Sequence, residues 1–190
     1  IEGTNSGVIE VSSIPPLQLE KNLQYLIRYP HGCVEQTTSS VFPQLYLSDL
    51  MDLTPTQEKA IEQNINAGIN RLLNMQTSDG GLGYWPGAET SSEWGSNYGG
   101  HFLVEAYKKG YNVPSSALNK WASFQKRISD SYTVPTTYYR HYYYRYTIGL
   151  NQAYRLYTLA SVGKANLGAM NRLKGSNDLC LAAYWRLASA

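Results

Sequence analysis

Apolar side chains return every three to four residues along nearly all of this sequence, from Leu19 to Ala188. That period belongs to the buried stripe of an amphipathic helix, not to the alternation of a strand. It is clearest after Thr54, a predicted N-cap with Pro55 at the first helical position and Gln57 completing a capping-box pattern. Ile61, Ile65, Ile69, Leu72 and Leu73 follow as the stripe. Upstream, Leu19, Leu23, Leu26 and Ile27 predict a helix that Pro30 and Gly32 stop. A second helix is expected from near Cys33 towards Met51, kinked at Pro43. A turn-rich run, Ser78-Asp79-Gly80-Gly81-Leu82-Gly83-Tyr84-Trp85-Pro86-Gly87, precedes a helix predicted around residues 98–109. Pro114 with Ser115 or Ser116 opens the next, with Leu118, Trp121, Ala122 and Ile128 on its inner face. An aromatic stretch over residues 138–146 leads into a helix carrying Leu150, Ala153, Tyr154 and Tyr157. The last helix is expected to be capped near Asn177 or Asp178 and to carry Leu181, Tyr184, Trp185 and Ala188.

Only the start reads otherwise. Val8-Ile9-Glu10-Val11 has the character of a short strand, and Pro15-Pro16 breaks it and opens the first helix. Residues 1–14 are therefore expected to be an extended lead-in from a preceding domain, and residues 15–190 the N-terminal part of a helical domain. Helical character persists at Ala190 without a stop signal, so the domain is expected to be incomplete at its C-terminal end. Paired helices joined by short turns, with no strict sequence period, predict an all-α fold of the irregular α/α toroid type in preference to a regular solenoid.

Hydrophobic residues make up 43% of the 190 and charged residues 16%, a globular composition. Sixteen basic against fourteen acidic side chains leave a net charge of +2, too little to point to a polyanionic partner. No run approaches the roughly 18 apolar residues that a membrane helix needs. Residues 1–10 have neither the basic start nor the apolar centre of a signal peptide, which carries little weight for a piece of a longer polypeptide. Cys33 and Cys180 match no metal or redox spacing, and sequence leaves open whether they pair. Seventeen tyrosines stand against three phenylalanines, which suits helix layers whose rims meet water.

The run that carries chemistry is Tyr29-Pro30-His31-Gly32-Cys33-Val34-Glu35-Gln36-Thr37-Thr38-Ser39. It sets a cysteine three residues before a glutamine at an expected helix start, where i and i+3 side chains are neighbours. A thiolate there can reach the glutamine carbonyl carbon, displace ammonia and close a thioester ring. A helix N-terminus favours the thiolate, and Gly32 removes bulk beside the sulfur. On spacing alone, a buried structural cysteine near an ordinary helical glutamine is the stronger reading.

Residues 30–36 resemble the thioester motif of the alpha-2-macroglobulin and complement family, with proline, glycine, cysteine, glutamate and glutamine in the same order. The continuation through Thr37, Thr38 and Ser39 is closer to the bacterial branch. Many animal members have glycine where this chain has Val34, which reads as a marker of that branch. The resemblance implies that Cys33 supplies the sulfur and Gln36 the acyl carbon of an internal thioester. It implies a broad-spectrum protease trap: bait cleavage elsewhere in a large polypeptide exposes the bond, and an amine or hydroxyl of the protease is captured covalently. Such a molecule is an endopeptidase inhibitor with single-turnover acyl-transfer chemistry, not an enzyme. No cofactor or metal is implied. Its partners are target proteases and other domains of the same polypeptide, in a bacterial periplasm, cell envelope or extracellular space, with any membrane attachment through parts outside this chain.

Before triggering, such a bond must be kept from water. Tyr29 is the adjacent candidate lid, with Tyr138, Tyr139, Tyr142, Tyr143, Tyr144 and Tyr146 as further aromatics, most of them suited to plain helix packing. Some family members use a downstream histidine to form an acyl-imidazole and free a thiolate base. His141 is the candidate by distance, although its neighbours match that motif poorly, and His101 is weaker. His31 and Glu35 are accessory candidates for tuning and hydrogen bonding within the turn.

Other readings compete. Gln76-Thr77-Ser78-Asp79-Gly80-Gly81-Leu82-Gly83-Tyr84-Trp85 resembles the glutamine–tryptophan repeats of terpenoid cyclases, which share the α/α toroid with protein prenyltransferases. An isoprenoid enzyme lacks support, because there is no D-x-D-D acid and no convincing zinc set among Cys180 and the three histidines. Stacking of nucleic acid on tyrosines interleaved with Arg140 and Arg145 is disfavoured by the near-neutral charge. A non-reactive helical module of a large envelope protein is the main alternative.

Overall fold

The computed structural model describes residues 19–133, 149–176 and 179–190, with residues 19–21 as backbone alone. The expected strand at residues 8–11, the aromatic stretch at 138–146 with His141, and Asn177 and Asp178 lie outside the described residues. What is described is helical: α1 (Leu19–Gln24), α2 (Val34–Val41), a 3-10 segment (Pro43–Asp49), α3 (Pro55–Leu73), α4 (Glu93–Lys108), α5 (Ser115–Ser131), α6 (Leu150–Ser161), α7 (Leu167–Lys174) and α8 (Leu181–Ala188). Among the described residues extended pairing is limited to two isolated bridges, Gln76 with Leu82 and Gly83 with Ser91. The fold is all-α.

Local chemistry accounts for most boundaries. Thr54 caps α3 by accepting from the Gln57 amide at 3.3 Å, while Gln57 Oε1 accepts from the Thr54 amide at 2.9 Å. Ile61, Ile65, Ile69 and Leu72 are buried along α3, with Leu73 at the edge of the stripe. Burying each such side chain is worth about 1.5–3 kcal/mol. The kink expected at Pro43 is a change of helix type. Proline has no N–H to continue the α ladder, so the chain tightens into the 3-10 segment.

Four expectations need correction. α1 ends at Gln24, and Leu26 and Ile27 fall in a turn closed by Leu26 N–H to Leu23 O and Ile27 N–H to Gln24 O. α4 starts at Glu93, ahead of residue 98, with Ser92 capping it through the Gly95 amide at 3.1 Å. α7, capped by Asn166 Oδ1 on the Ala169 amide at 3.2 Å, was not anticipated. The N-cap of α8 is Cys180, not Asn177 or Asp178. Of its apolar residues Ala183 is buried, whereas Leu181 is 71% and Trp185 70% exposed. Helical spacing identified a stripe there but not which stripe the neighbours cover.

The main core joins α2, the 3-10 segment, α3 and α4, with Val34, Val41, Leu47, Ile65, Leu72, Leu82 and Phe102 at its centre. Val104, Trp121, Ala122 and Leu159 bridge α4, α5 and α6. A third cluster holds α6, α7 and α8 together through Leu156, Leu173, Leu179 and Cys180. Cys33 and Cys180 are both buried free thiols, so no disulfide joins them. α2 is thus an eight-residue helix walled in by two longer ones, and its N-terminus carries the motif singled out above.

Candidate functional site

Two side chains meet at the start of α2 because of how the helix is capped. Cys33 is the N-cap, in extended conformation at φ −74° and ψ 177°, and Gln36 is the third helical residue. The pair adopts the reciprocal geometry of a capping box, in which N-cap and N3 side chains fold back on each other's backbone. The Cys33 amide donates to Gln36 Oε1 at 3.1 Å. The same contact that satisfies a helix-end amide therefore brings the glutamine carboxamide over the cysteine. It also sets an N–H donor on the carbonyl oxygen where negative charge builds during acyl transfer. Cys33 is 4% exposed, whereas Gln36 faces solvent.

The turn before the pair is fixed from several sides. Gly32 has φ +80°, and a Cβ there would lie 1.9 Å from Gln36 Oε1. Glycine is needed for both the left-handed backbone and the space. Arg71, reaching from α3, donates to the Gly32 carbonyl at 3.0 Å and to Thr37 Oγ1 at 3.5 Å. Thr37 Oγ1 donates to the His31 carbonyl at 3.4 Å. Gln44 from the 3-10 segment donates to the Arg28 and Ser40 carbonyls, both at 2.8 Å, and is itself held by Asn64 of α3 at 3.1 Å. α2 sits close to its neighbours because they offer glycines. A Cβ at Gly95 would lie 2.7 Å from Val34 Cγ1, one at Gly99 3.2 Å from Val34 Cγ2, and one at Gly68 2.8 Å from Val41 Cγ2.

The loop between α3 and α4 supplies the other wall. The Val34 amide donates to the Tyr84 carbonyl at 3.0 Å, and the Tyr84 hydroxyl donates to Glu35 Oε2 at 3.0 Å. The Cys33 thiol and then the Glu35 carboxylate beside that hydroxyl push the phenol up to about 12. The loop is tied at its base by Asp79, which accepts from Thr77 and Ser91 hydroxyls, both at 2.6 Å, and from the Gly81 amide at 3.1 Å. Burial raises the Asp79 carboxyl, but these donors and Arg127 outweigh it and hold it below its ordinary value.

Outside α2 a groove of about 570 Å³ runs past Gln36, lined by Tyr25, Arg28, Tyr29, His31 and Ser39 among others. Tyr29 is 54% exposed and its ring lies 4.8 Å from that of His31, centroid to centroid. His101 points elsewhere: its Nδ1 is 2.9 Å from the Tyr154 hydroxyl, and its ring meets Phe42 and Tyr157. Burial pushes its pKa down to about 4, so it is neutral near pH 7. The structure thus brings together Tyr29, His31, Cys33, Glu35 and Gln36 on one helix end. Arg71 and Tyr84, which sequence reasoning did not single out, complete the surroundings. Their only signal was position: Tyr84 lies in the glycine-rich run that was read as a mark of fold. Among the described residues no group of three or more His, Cys, Asp and Glu side chains is arranged to hold a metal, and no helix is long and apolar enough to cross a membrane.

Comparison with known proteins places this geometry. The family model described as A-macroglobulin TED domain matches residues 8–130. The alpha-2-macroglobulin of Escherichia coli K12 is 34% identical over 121 residues, covering 62% of this chain and 7% of the relative. That of Xylella fastidiosa (strain Temecula1) is 27% identical over 172 residues, covering 87% of this chain and 10% of the relative. The chain therefore spans a tenth or less of these relatives. Among solved structures, native E. coli alpha-2-macroglobulin from domain MG7 to the C-terminus superposes with a TM-score of 0.69 at 29% identity, covering 93% of this chain and 29% of that one. Salmonella alpha-2-macroglobulin reacted with methylamine gives a TM-score of 0.66 at 32% identity, covering 84% of this chain and 11% of that one. The chain belongs to the A-macroglobulin TED domain family, and its relatives are bacterial alpha-2-macroglobulins.

Proposed function

We propose that this chain is the reactive domain of a protease-trapping inhibitor and that Cys33 and Gln36 form its internal thioester. The observation that carries the reading is the capping-box pairing of the two side chains, with the Cys33 amide on Gln36 Oε1 at 3.1 Å. In forming the bond, the Cys33 thiolate attacks Gln36 Cδ and ammonia leaves. In using it, an amine or hydroxyl of the attacking protease adds to the same carbon. The C–S bond then breaks, an amide or ester links inhibitor to protease, and Cys33 is released as a thiol. The family supports this reading, as does the reaction of the Salmonella relative with methylamine. Tyr29, over the groove beside Gln36, fits a lid whose removal admits the nucleophile. We place residues 15–190 in the N-terminal part of the thioester domain, with residues 1–14 entering from a preceding domain. Bait region and covering domains then belong to other parts of a large periplasmic or cell-envelope polypeptide.

Intact-protein mass spectrometry tests the proposal. The full-length protein should weigh one ammonia less than its sequence, and methylamine should add its own mass and release one thiol at Cys33. Cys33→Ala should abolish covalent protease capture while leaving the helical circular dichroism unchanged. A mass equal to the sequence, with a free thiol from the outset, would favour a non-reactive structural module instead.

A further inference from the structure

Building on the thioester reading, we propose that Arg71 is a positioning residue for acyl transfer at Gln36 Cδ. Through the Gly32 carbonyl it fixes and polarises the Cys33 N–H that holds the acyl oxygen. The two contacts share one peptide unit. Arg71 Nη2 donates to the Gly32 carbonyl at 3.0 Å, and the N–H of that same peptide, on Cys33, donates to Gln36 Oε1 at 3.1 Å. A trans peptide is planar with its carbonyl and N–H pointing opposite ways, so a clamp on one end sets the direction of the other. The guanidinium is itself held. Its Nε lies 3.5 Å from Thr37 Oγ1, which donates to the His31 carbonyl at 3.4 Å. Arg71 stands in the last turn of α3, the helix that packs on α2 where Gly68 meets Val41.

Gly32 makes such a clamp necessary. At φ +80° it has the backbone freedom that lets the Gly32–Cys33 peptide rotate, and rotation would turn the N–H off Oε1. Among the described residues the Cys33 amide is the one donor that Oε1 receives. The sulfur is served separately, by the capping box that sets the Gln36 amide on the Cys33 side chain. Negative charge builds on Oε1 twice. In ring closure the thiolate adds to Cδ and an electron pair moves to Oε1; as the pair returns, ammonia leaves with the proton that the thiol gave up. In capture an amine nitrogen adds to the same carbon, the pair passes through Oε1 again, and the C–S bond breaks. The proton shed by the nitrogen ends on Sγ, leaving an amide and a thiol. Arg71 makes the Cys33 N–H a better donor in both steps, because a hydrogen bond to a carbonyl polarises the whole amide. Its charge is not spent elsewhere: among the described residues no carboxylate forms an ion pair with the guanidinium.

The experiment is methylamine-driven thiol release from the full-length protein, wild type against Arg71→Met, after mass spectrometry has counted the molecules that carry the bond. In those molecules the rate constant is expected to fall about tenfold. A merely structural role predicts the reverse, since a loosened turn opens the bond to small nucleophiles and speeds their reaction. Arg71→Lys, which keeps the charge and a donor, should recover more of the rate than Arg71→Gln, which keeps a donor alone. A wild-type or faster rate constant in Arg71→Met overturns the proposal, as do equal rates in Arg71→Lys and Arg71→Gln. If Arg71→Met closes no bond, the yield of the ammonia-deficient mass is compared in the other two variants. Arg71→Lys must then exceed Arg71→Gln, and equal yields, none in either included, overturn the proposal. Wild-type protein that lacks the ammonia-deficient mass is a separate result, which removes the thioester reading and this inference with it.

Discussion

At Gly32 a single hydrogen atom separates a turn that admits Gln36 from one that excludes it. The residue stands at φ +80°, and a methyl there would be placed 1.9 Å from Gln36 Oε1. Gly32→Ala is expected to cost about 1–2 kcal/mol of stability through its left-handed backbone. It should also swing the Gln36 carboxamide off the Cys33 amide and lower thioester yield severalfold. Denaturant unfolding reads the first effect, and methylamine-released thiol the second. A variant forming the bond in wild-type yield would show that Gln36 reaches Cys33 by another route. The same residues show how far the site was legible in sequence. Cys33 and Gln36 announced themselves because N-cap and N3 are sequence neighbours, so the local code contains their contact. Arg71, which clips the Gly32 carbonyl from α3, and Tyr84, which meets Glu35 from a loop 49 residues on, act across the fold, and no local spacing encodes them.

α4 is the element on which both the core and the motif helix lean, and its seam with α6 contains a half-buried histidine. His101 bonds the Tyr154 hydroxyl at 2.9 Å, with Glu105 of its own helix 3.9 Å away and Lys108 and Arg186 nearby. Burial is the main cause that lowers its pKa to about 4; Glu105 opposes the shift, and Arg186 and Lys108 add to it. The unfolded chain, with an ordinary histidine near 6.5, binds the proton more readily, so stability rises with pH across this interval. Lowering the pH from about 6.5 towards 4 should therefore cost on the order of 3 kcal/mol from this group. Urea midpoints measured across that range check it, and His101→Gln should flatten the slope while the carboxylate contribution at lower pH persists. Among the elements, α3 was legible because its cap, proline and stripe agree. The start of α4 was not. Gly95 looks like a loop residue by helix propensity, yet it is a position where Val34 presses against the backbone. Tertiary packing outvoted local preference there, and α8 shows the converse, an apolar stripe that the neighbouring helices leave uncovered.

Across the whole molecule, Arg155 ties the helix layers together where the apolar clusters meet. It is fully buried on α6, donating through Nε to Gln125 Oε1 of α5 at 3.0 Å, through Nη1 to Gln152 Oε1, and through Nη2 to Glu93 Oε2 of α4 at 3.3 Å. Gln125 passes the connection to Asn97 Oδ1 at 2.9 Å, and Asn97 to the Asn151 carbonyl at 3.0 Å. Burial lowers the Arg155 pKa, and Glu93 only partly offsets that, its own side chain being 61% exposed. The ion pair is therefore a weak source of stability, and the value of the guanidinium lies in satisfying buried amides. Among the described residues no buried side-chain nitrogen or oxygen lacks a partner, and Arg155 is what keeps that true at the junction of α4, α5 and α6. Arg155→Met, which fills similar space without donors, should destabilise by about 2–4 kcal/mol because it orphans the Gln125 and Gln152 carbonyls. Adding Gln152→Leu should recover part of that loss, since one orphaned acceptor goes with its donor and Arg172 still donates to the Ser129 carbonyl that Gln152 served. Denaturant unfolding of the single and double variants separates the two accounts. If the double variant were no more stable than Arg155→Met alone, the charge itself, not the satisfaction of the amides, would be what holds the layers together.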